Sequence, residues 1–83
     1  MSGDDIEQRV LSLLIPHVRN GVEPRLDTEI MADAGMDSVA VMDFVLDLEE
    51  DFDITIPLDR LSGVRTVRDV VHEVQGIVAE SAL

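Results

Sequence analysis

The residues with chemical potential are few. Ser38 follows Asp37 and opens a long apolar-periodic run. His17 and His72 are the only imidazoles, and the chain has no cysteine. A serine after an aspartate at the head of a helix can be either a cap or the seat of a modification. The first turn offers unpaired N–H groups and the positive end of the helix dipole, which favour an attached anion. Nucleophilic catalysis would need a base held beside Ser38 and a strained elbow of the Gly-x-Ser-x-Gly type. Met36 and Ala40 occupy the positions of those glycines, and 83 residues leave little room for a cleft. No catalytic residue is expected, the histidines are given no role, and the chain reads as a non-enzyme. A calcium loop fails as well. Its best register, from Asp51, puts Ile56 at the glycine position and Ser62 at the bidentate glutamate, so no specific metal site is expected. Without cysteine, any sulfur chemistry must come from an added group.

The elements that must position Ser38 follow from periodicity. Ile6, Val10, Leu13 and Leu14 predict an amphipathic helix over residues 4–15, with Pro16 discouraging helix from Ile15 onward. Asn20-Gly21 and Glu23-Pro24 mark turns. The stretch to Met36 shows no firm period and reads as a long first loop with room for a short turn at Thr28 to Ala34. Loops of that length are functional or disordered. A second helix is predicted from Ser38 to about Phe52, with Asp37 or Ser38 as its cap. Ile54-Thr55-Ile56 looks strand-like but has no strand to pair with, and Pro57 leads into a short helix near Leu58 to Leu61. Thr66 and Asp69 have capping-box spacing. The last helix buries Val67, Val70, Val71, Val74 and Val78. Three longer helices and one short helix, without β-pairing, give an all-α four-helix bundle in one domain, residues 1–83.

The second helix carries two apolar stripes. Val41, Phe44, Val45, Leu48 and Phe52 face the core, whereas Val39, Met42 and Leu46 fall elsewhere, among Asp43, Asp47, Glu49, Glu50 and Asp53. An apolar stripe rimmed by acids and starting beside Ser38 suits a partner with an apolar centre and a basic rim. Charge points the same way. The net charge is −12, and eleven acids with no lysine or arginine lie between Asp27 and Asp59. That field speeds encounter with basic proteins and argues against nucleic acid. No apolar run approaches the length of a membrane span and the first residues are acidic, so a cytoplasmic monomer without membrane insertion is expected.

Gly35-Met36-Asp37-Ser38-Val39, Leu48-Glu49-Glu50-Asp51-Phe52 and Ile56-Pro57, with the Thr66-Val67 opening of the last helix, together resemble the acyl carrier proteins of fatty acid and polyketide synthesis. Their hallmark is Gly-x-Asp-Ser-Leu, then Leu-Glu-Glu-x-Phe and Ile-Pro. The resemblance implies an acyl-carrier-type bundle whose Ser38, in the Asp37-Ser38 motif, bears phosphopantetheine donated from coenzyme A by a phosphopantetheinyl transferase. The arm would hold acyl chains as thioesters and deliver them to acyl-transferring or condensing enzymes of fatty acid, polyketide or specialised lipid synthesis. Such enzymes would dock on Val39, Met42, Asp43, Leu46, Glu49 and Glu50. Val39 departs from the usual Leu, and Ala40 stands where many relatives are acidic, changes expected to tune partner choice. A peptidyl or aminoacyl carrier, which usually shows Gly-Gly before Asp/His-Ser, and an acidic helical adaptor without an arm are the competing readings.

Overall fold

The computed structural model describes the backbone of residues 3–81 and the side chains of residues 5–80. Four α-helices run in the order α1 (Gly3–Leu14), α2 (Ser38–Phe52), α3 (Leu58–Leu61) and α4 (Val67–Ser81), with a 3-10 turn at Ile15–His17 after α1. The α-helix ends before Pro16, as expected, but the chain keeps turning through His17. Proline has no N–H to lose in a first turn, so a 3-10 turn accommodates it.

Burial follows the periodicity. Ile6, Val10 and Leu14 of α1 meet Phe44, Val45 and Leu48 of α2 and Val67, Val70, Val71 and Val74 of α4 in one core. On α4 the buried set then continues through Ile77, while Val78, expected inside, is only partly buried. Phe52 is likewise half-buried, with the Arg9 guanidinium 5.8 Å from its ring centre. Phe44, 1% exposed, is the aromatic centre of the core. Burying such a side chain stabilises by about 1.5–3 kcal/mol.

The first loop, residues 18–37, is ordered by the core. Ile30, Ala34 and Met36 are each at most 3% exposed, so the loop itself buries apolar surface. Its backbone is tied to the α3–α4 connection: Ile30 N–H donates to Arg65 O (3.0 Å), Val67 N–H to Thr28 O (3.0 Å) and Arg68 N–H to Leu26 O (2.8 Å). Glu29 and Thr66 form an isolated antiparallel bridge, a small correction to the expected absence of β-pairing. Glu29 and Arg65 also pair at 2.6 Å.

The helix ends satisfy their backbone groups locally. The Thr66–Asp69 capping box forms: Asp69 Oδ2 accepts from Thr66 N–H (3.0 Å) and Arg65 N–H (3.0 Å), and Asp69 N–H donates to Thr66 Oγ1 (3.3 Å). The backbone bonds from Thr66 and then Arg65 hold the Asp69 carboxyl below its ordinary pKa. At the end of α2, Asp53 turns left-handed (φ 55°), and its N–H and that of Ile54 both end on Glu49 O. The short α3 buries no residue. It is held to α4 by Arg60, whose guanidinium lies 2.6 Å from Glu80 and 3.6 Å from Glu73. The bond to Glu80 raises the Arg60 pKa.

Candidate functional site

Asp37 is the cap. It is extended (φ −88°, ψ −178°), and its Oδ1 accepts the Ala40 N–H at 2.8 Å. Ser38 is therefore the first helical residue, and it is exposed. The Ser38 and Val39 N–H groups lie in the first turn, where no preceding carbonyl can serve them, and α2 carries no carboxylate in that turn. An anion linked to the Ser38 oxygen would meet free donors and the positive helix end with no other carboxylate in the first turn of the helix.

The turn that leads into Ser38 passes through Gly35 in the left-handed region (φ 67°), a conformation glycine adopts at little cost. Ala34 O accepts from Arg19 N–H (2.9 Å) and Asn20 N–H (3.4 Å). Asn20 Nδ2 donates to Asp33 O at 2.9 Å. Arg19 lies 4.0 Å from Asp37 Oδ1.

The second stripe of α2 is where the periodicity puts it. Val39 is 66%, Met42 42% and Leu46 57% exposed, running down the helix from Ser38. Asp43 and Glu50 are exposed beside it. Other acids of the helix are already engaged. Asp51 pairs with Arg9 at 2.6 Å. Glu49 is half-buried and is not a free rim carboxylate, because its Oε2 accepts the N–H of buried Ile56 at 2.8 Å; it fastens the α2–α3 link. Ala40 is also corrected. It is 3% exposed because it faces the core one turn before Phe44, so it cannot meet a partner directly.

His17, expected to have no role, has its Nε2 2.6 Å from Asp47 Oδ2 and its ring centre 5.9 Å from that of Phe44. It fastens the 3-10 turn to α2. Thirty residues separate the pair, and no local pattern announces it.

Beneath α2, on its core side, lies an apolar cavity of about 330 Å³. Val41, Phe44 and Val45 form one wall, Ile30 and Met31 of the first loop a second, and Leu61, Val64 and Val70 a third. Val41 stands about one turn from Ser38. Met31, at the rim, is 58% exposed. The site therefore combines an exposed hydroxyl on a helix start, an apolar stripe with free acids outside, and an apolar cavity inside. Among the described residues no three His, Cys, Asp or Glu side chains are grouped to hold a metal, and no helix is long and apolar enough to cross a membrane.

Comparison with known proteins places this arrangement. Residues 17–74 match the family described as phosphopantetheine attachment site. The chain is 36% identical over 77 residues to an acyl carrier protein of Prochlorococcus marinus, covering 90% of this chain and 95% of that one. With an acyl carrier protein of Akkermansia muciniphila it shares 31% identity over 80 residues, covering 93% and 98%. A probable acyl carrier protein of Caulobacter vibrioides is 47% identical over 49 residues, and there the match spans 59% of this chain and 57% of the relative. The solution structure of the acetyl actinorhodin acyl carrier protein from Streptomyces coelicolor superposes with a TM-score of 0.66 at 26% identity, covering 98% of this chain and 94% of that one. Its 5-phenyl-3-oxo-pentyl form gives a TM-score of 0.68.

Proposed function

The chain belongs to the phosphopantetheine-attachment family of acyl carrier proteins, and from that premise we propose that Ser38 is the residue to which the arm is fixed. As a member it is a carrier of acyl groups, not an enzyme, with a covalently attached phosphopantetheine. That group supplies the thiol this cysteine-free chain lacks, and an acyl chain is held on it as a thioester. The observation that carries the assignment is the exposed Ser38 hydroxyl heading a 15-residue helix, just after the Asp37 cap. The competitors lack that setting. Ser12 lies inside α1, and Ser62 Oγ donates to Asp59 O at 2.8 Å; Ser2 and the Ser81 side chain lie outside the described residues.

Each neighbouring residue has a part in this reading. Asp37 fixes the helix start, and the first-turn N–H groups offset the phosphodiester charge. Val39, Met42 and Leu46, with Asp43 and Glu50, present the docking surface to a phosphopantetheinyl transferase and to acyl-transferring or condensing enzymes with basic rims. Glu49 supports that surface from behind by tethering Ile56. The cavity beneath Val41 shelters the first carbons of an acyl chain from water, which suits its apolar lining. Fatty acid, polyketide and specialised lipid synthesis all fit this equipment. The protein acts as a cytoplasmic monomer, one acyl-carrier domain over residues 1–83.

The test is intact-mass analysis of the unmodified chain and of Ser38→Ala after incubation with coenzyme A and a broad-specificity transferase. The unmodified chain should gain one arm and the variant none, with the same helical circular dichroism. An arm on Ser38→Ala would refute the assignment.

A further inference from the structure

We propose that Arg19 and Asn20 form a positioning strap that sets how Ser38 is presented for arm transfer; the inference rests on the reading of Ser38 as the attachment residue. The turn over residues 33–37 delivers Ser38 to the start of α2. From its own side it is held by Asp33 and Ala34 N–H groups on Glu29 O (2.9 and 3.1 Å) and by Met36 N–H on Ile30 O (3.3 Å). Those bonds fix its first half and the buried Met36. The apex, Gly35, has no such tie and turns through φ 67°.

The opposite strand of the loop closes on that apex. Ala34 O receives both the Arg19 and Asn20 N–H groups, and the Asn20 carboxamide reaches Asp33 O at 2.9 Å. The carboxamide also packs where a side chain on residue 35 would be: a Cβ at Gly35 would come within 2.5–2.8 Å of its atoms. Asn20 and Gly35 are therefore matched by shape, beyond the glycine's backbone freedom. Arg19 extends the strap to the cap, 4.0 Å from Asp37 Oδ1. Arg9, Arg60, Arg65 and Arg68 each hold a carboxylate at 2.6–2.7 Å, so Arg19 is more loosely engaged than they are, placed beside the residue preceding Ser38.

Two exposed residues thus brace the apex while leaving the core and the outer stripe of α2 untouched. A nucleophile held in the wrong orientation loses rate: a displacement of about 1 Å can cost about a hundredfold. Loosening the strap should therefore lower the rate at which a docked Ser38 accepts the arm, without weakening docking itself.

The experiment measures initial rates of phosphopantetheine transfer from coenzyme A to the full apo chain, well below its melting temperature, with intact-mass readout. The chains compared are the unmodified one, Asn20→Ala, Asn20→Asp, Gly35→Ala and, as a charge control at the far end of α2, Arg9→Gln. Asn20→Ala and Asn20→Asp, which both lack the donor to Asp33 O, should lower kcat about tenfold or more with KM for the carrier unchanged. Amide exchange should quicken at residues 33–38 and stay unchanged in α1 and α4. Gly35→Ala should act alike, and combining it with Asn20→Ala should add little, because both loosen one contact. Arg9→Gln should load like the unmodified chain. Loading of Asn20→Ala at the full rate, or a rise in KM at constant kcat, would overturn the strap while leaving Ser38 as the attachment residue. Failure of the unmodified chain to gain an arm on Ser38 would overturn both.

Discussion

Glu49 and Glu50 are adjacent acids on α2, and the structure gives them opposite jobs. Glu50 is exposed and makes no hydrogen bond or ion pair among the described residues, whereas Glu49 Oε2 accepts the Ile56 N–H at 2.8 Å. Ile56 is 6% exposed, so in Glu49→Ala its amide would lose a charged acceptor in a place that water reaches poorly. A hydrogen bond to a charged group contributes about 1.5–3 kcal/mol, and the half-exposed carboxylate argues for the lower end. For a domain of this size 1 kcal/mol corresponds to about 4–8 °C in melting temperature, so Glu49→Ala should lower it by about 10 °C. Glu50→Ala should stay within about 0.5 kcal/mol, a few degrees at most. Thermal melts followed by circular dichroism read this directly. Arm-transfer kinetics then supply the reciprocal: Glu50→Arg should slow association with a basic transferase at low salt, and the effect should shrink as salt is added. Equal melting temperatures for the two alanine variants would refute the division of labour, as would a Glu50→Arg chain that loads at the unmodified rate in low salt.

The two phenylalanines should separate in the same melts. Phe44→Ala should cost about 3–5 kcal/mol and leave little folded protein, while Phe52→Ala, half-buried under Arg9, should cost clearly less; similar losses would count against the burial described. On the acid side, Asp69 has a depressed carboxyl in the fold, so its contribution to stability is complete above its unfolded pKa and is lost as pH falls through the lower, folded one. Asp69→Asn should therefore melt lower at neutral pH and lose less on acidification, and a parallel pH profile for the two chains would show that the capping carboxylate is not the titrating link.

Where local pattern and tertiary packing agree, the residues were readable in advance. Helix α2 runs from Ser38 to Phe52 and α3 from Leu58 to Leu61 because a cap, an apolar period and Pro57 act within a few residues of each other. Thr66 and Asp69 make their box for the same reason. What escaped depends on distant residues. Ala40 looks like a surface variation until Phe44 shows which way that face points. Glu49 looks like Glu50 until Ile56 folds back beneath it. His17 finds Asp47 only once α1 lies on α2. The first loop, which has no period of its own, is ordered by carbonyls and amides contributed thirty or more residues later. Helical periodicity located the outer face of α2, but a pattern of residue types does not record which of two neighbouring glutamates is already occupied.

The short α3 fully buries no residue and is tied to α4 by Arg60 and its two carboxylates, while Leu61 and Val64, at its end and just beyond, are only partly buried against the core and with Val70 form one wall of the cavity. Exposed ion pairs are individually weak, and segments with few buried contacts open on their own, at free energies well below that of unfolding the whole chain. The cavity of about 330 Å³ beneath Val41 is therefore a resting volume. Two walls of the container, and Val70 of the third, belong to the cooperative fold or its ordered loop; the rest of the third, Leu61 and Val64, lies in and just after a four-residue helix that can yield without melting the rest. On the reading that an acyl chain enters it, capacity in such a vessel would be elastic: a larger occupant would displace the weakest wall, and the cost of admitting it would be set by α3 more than by the core.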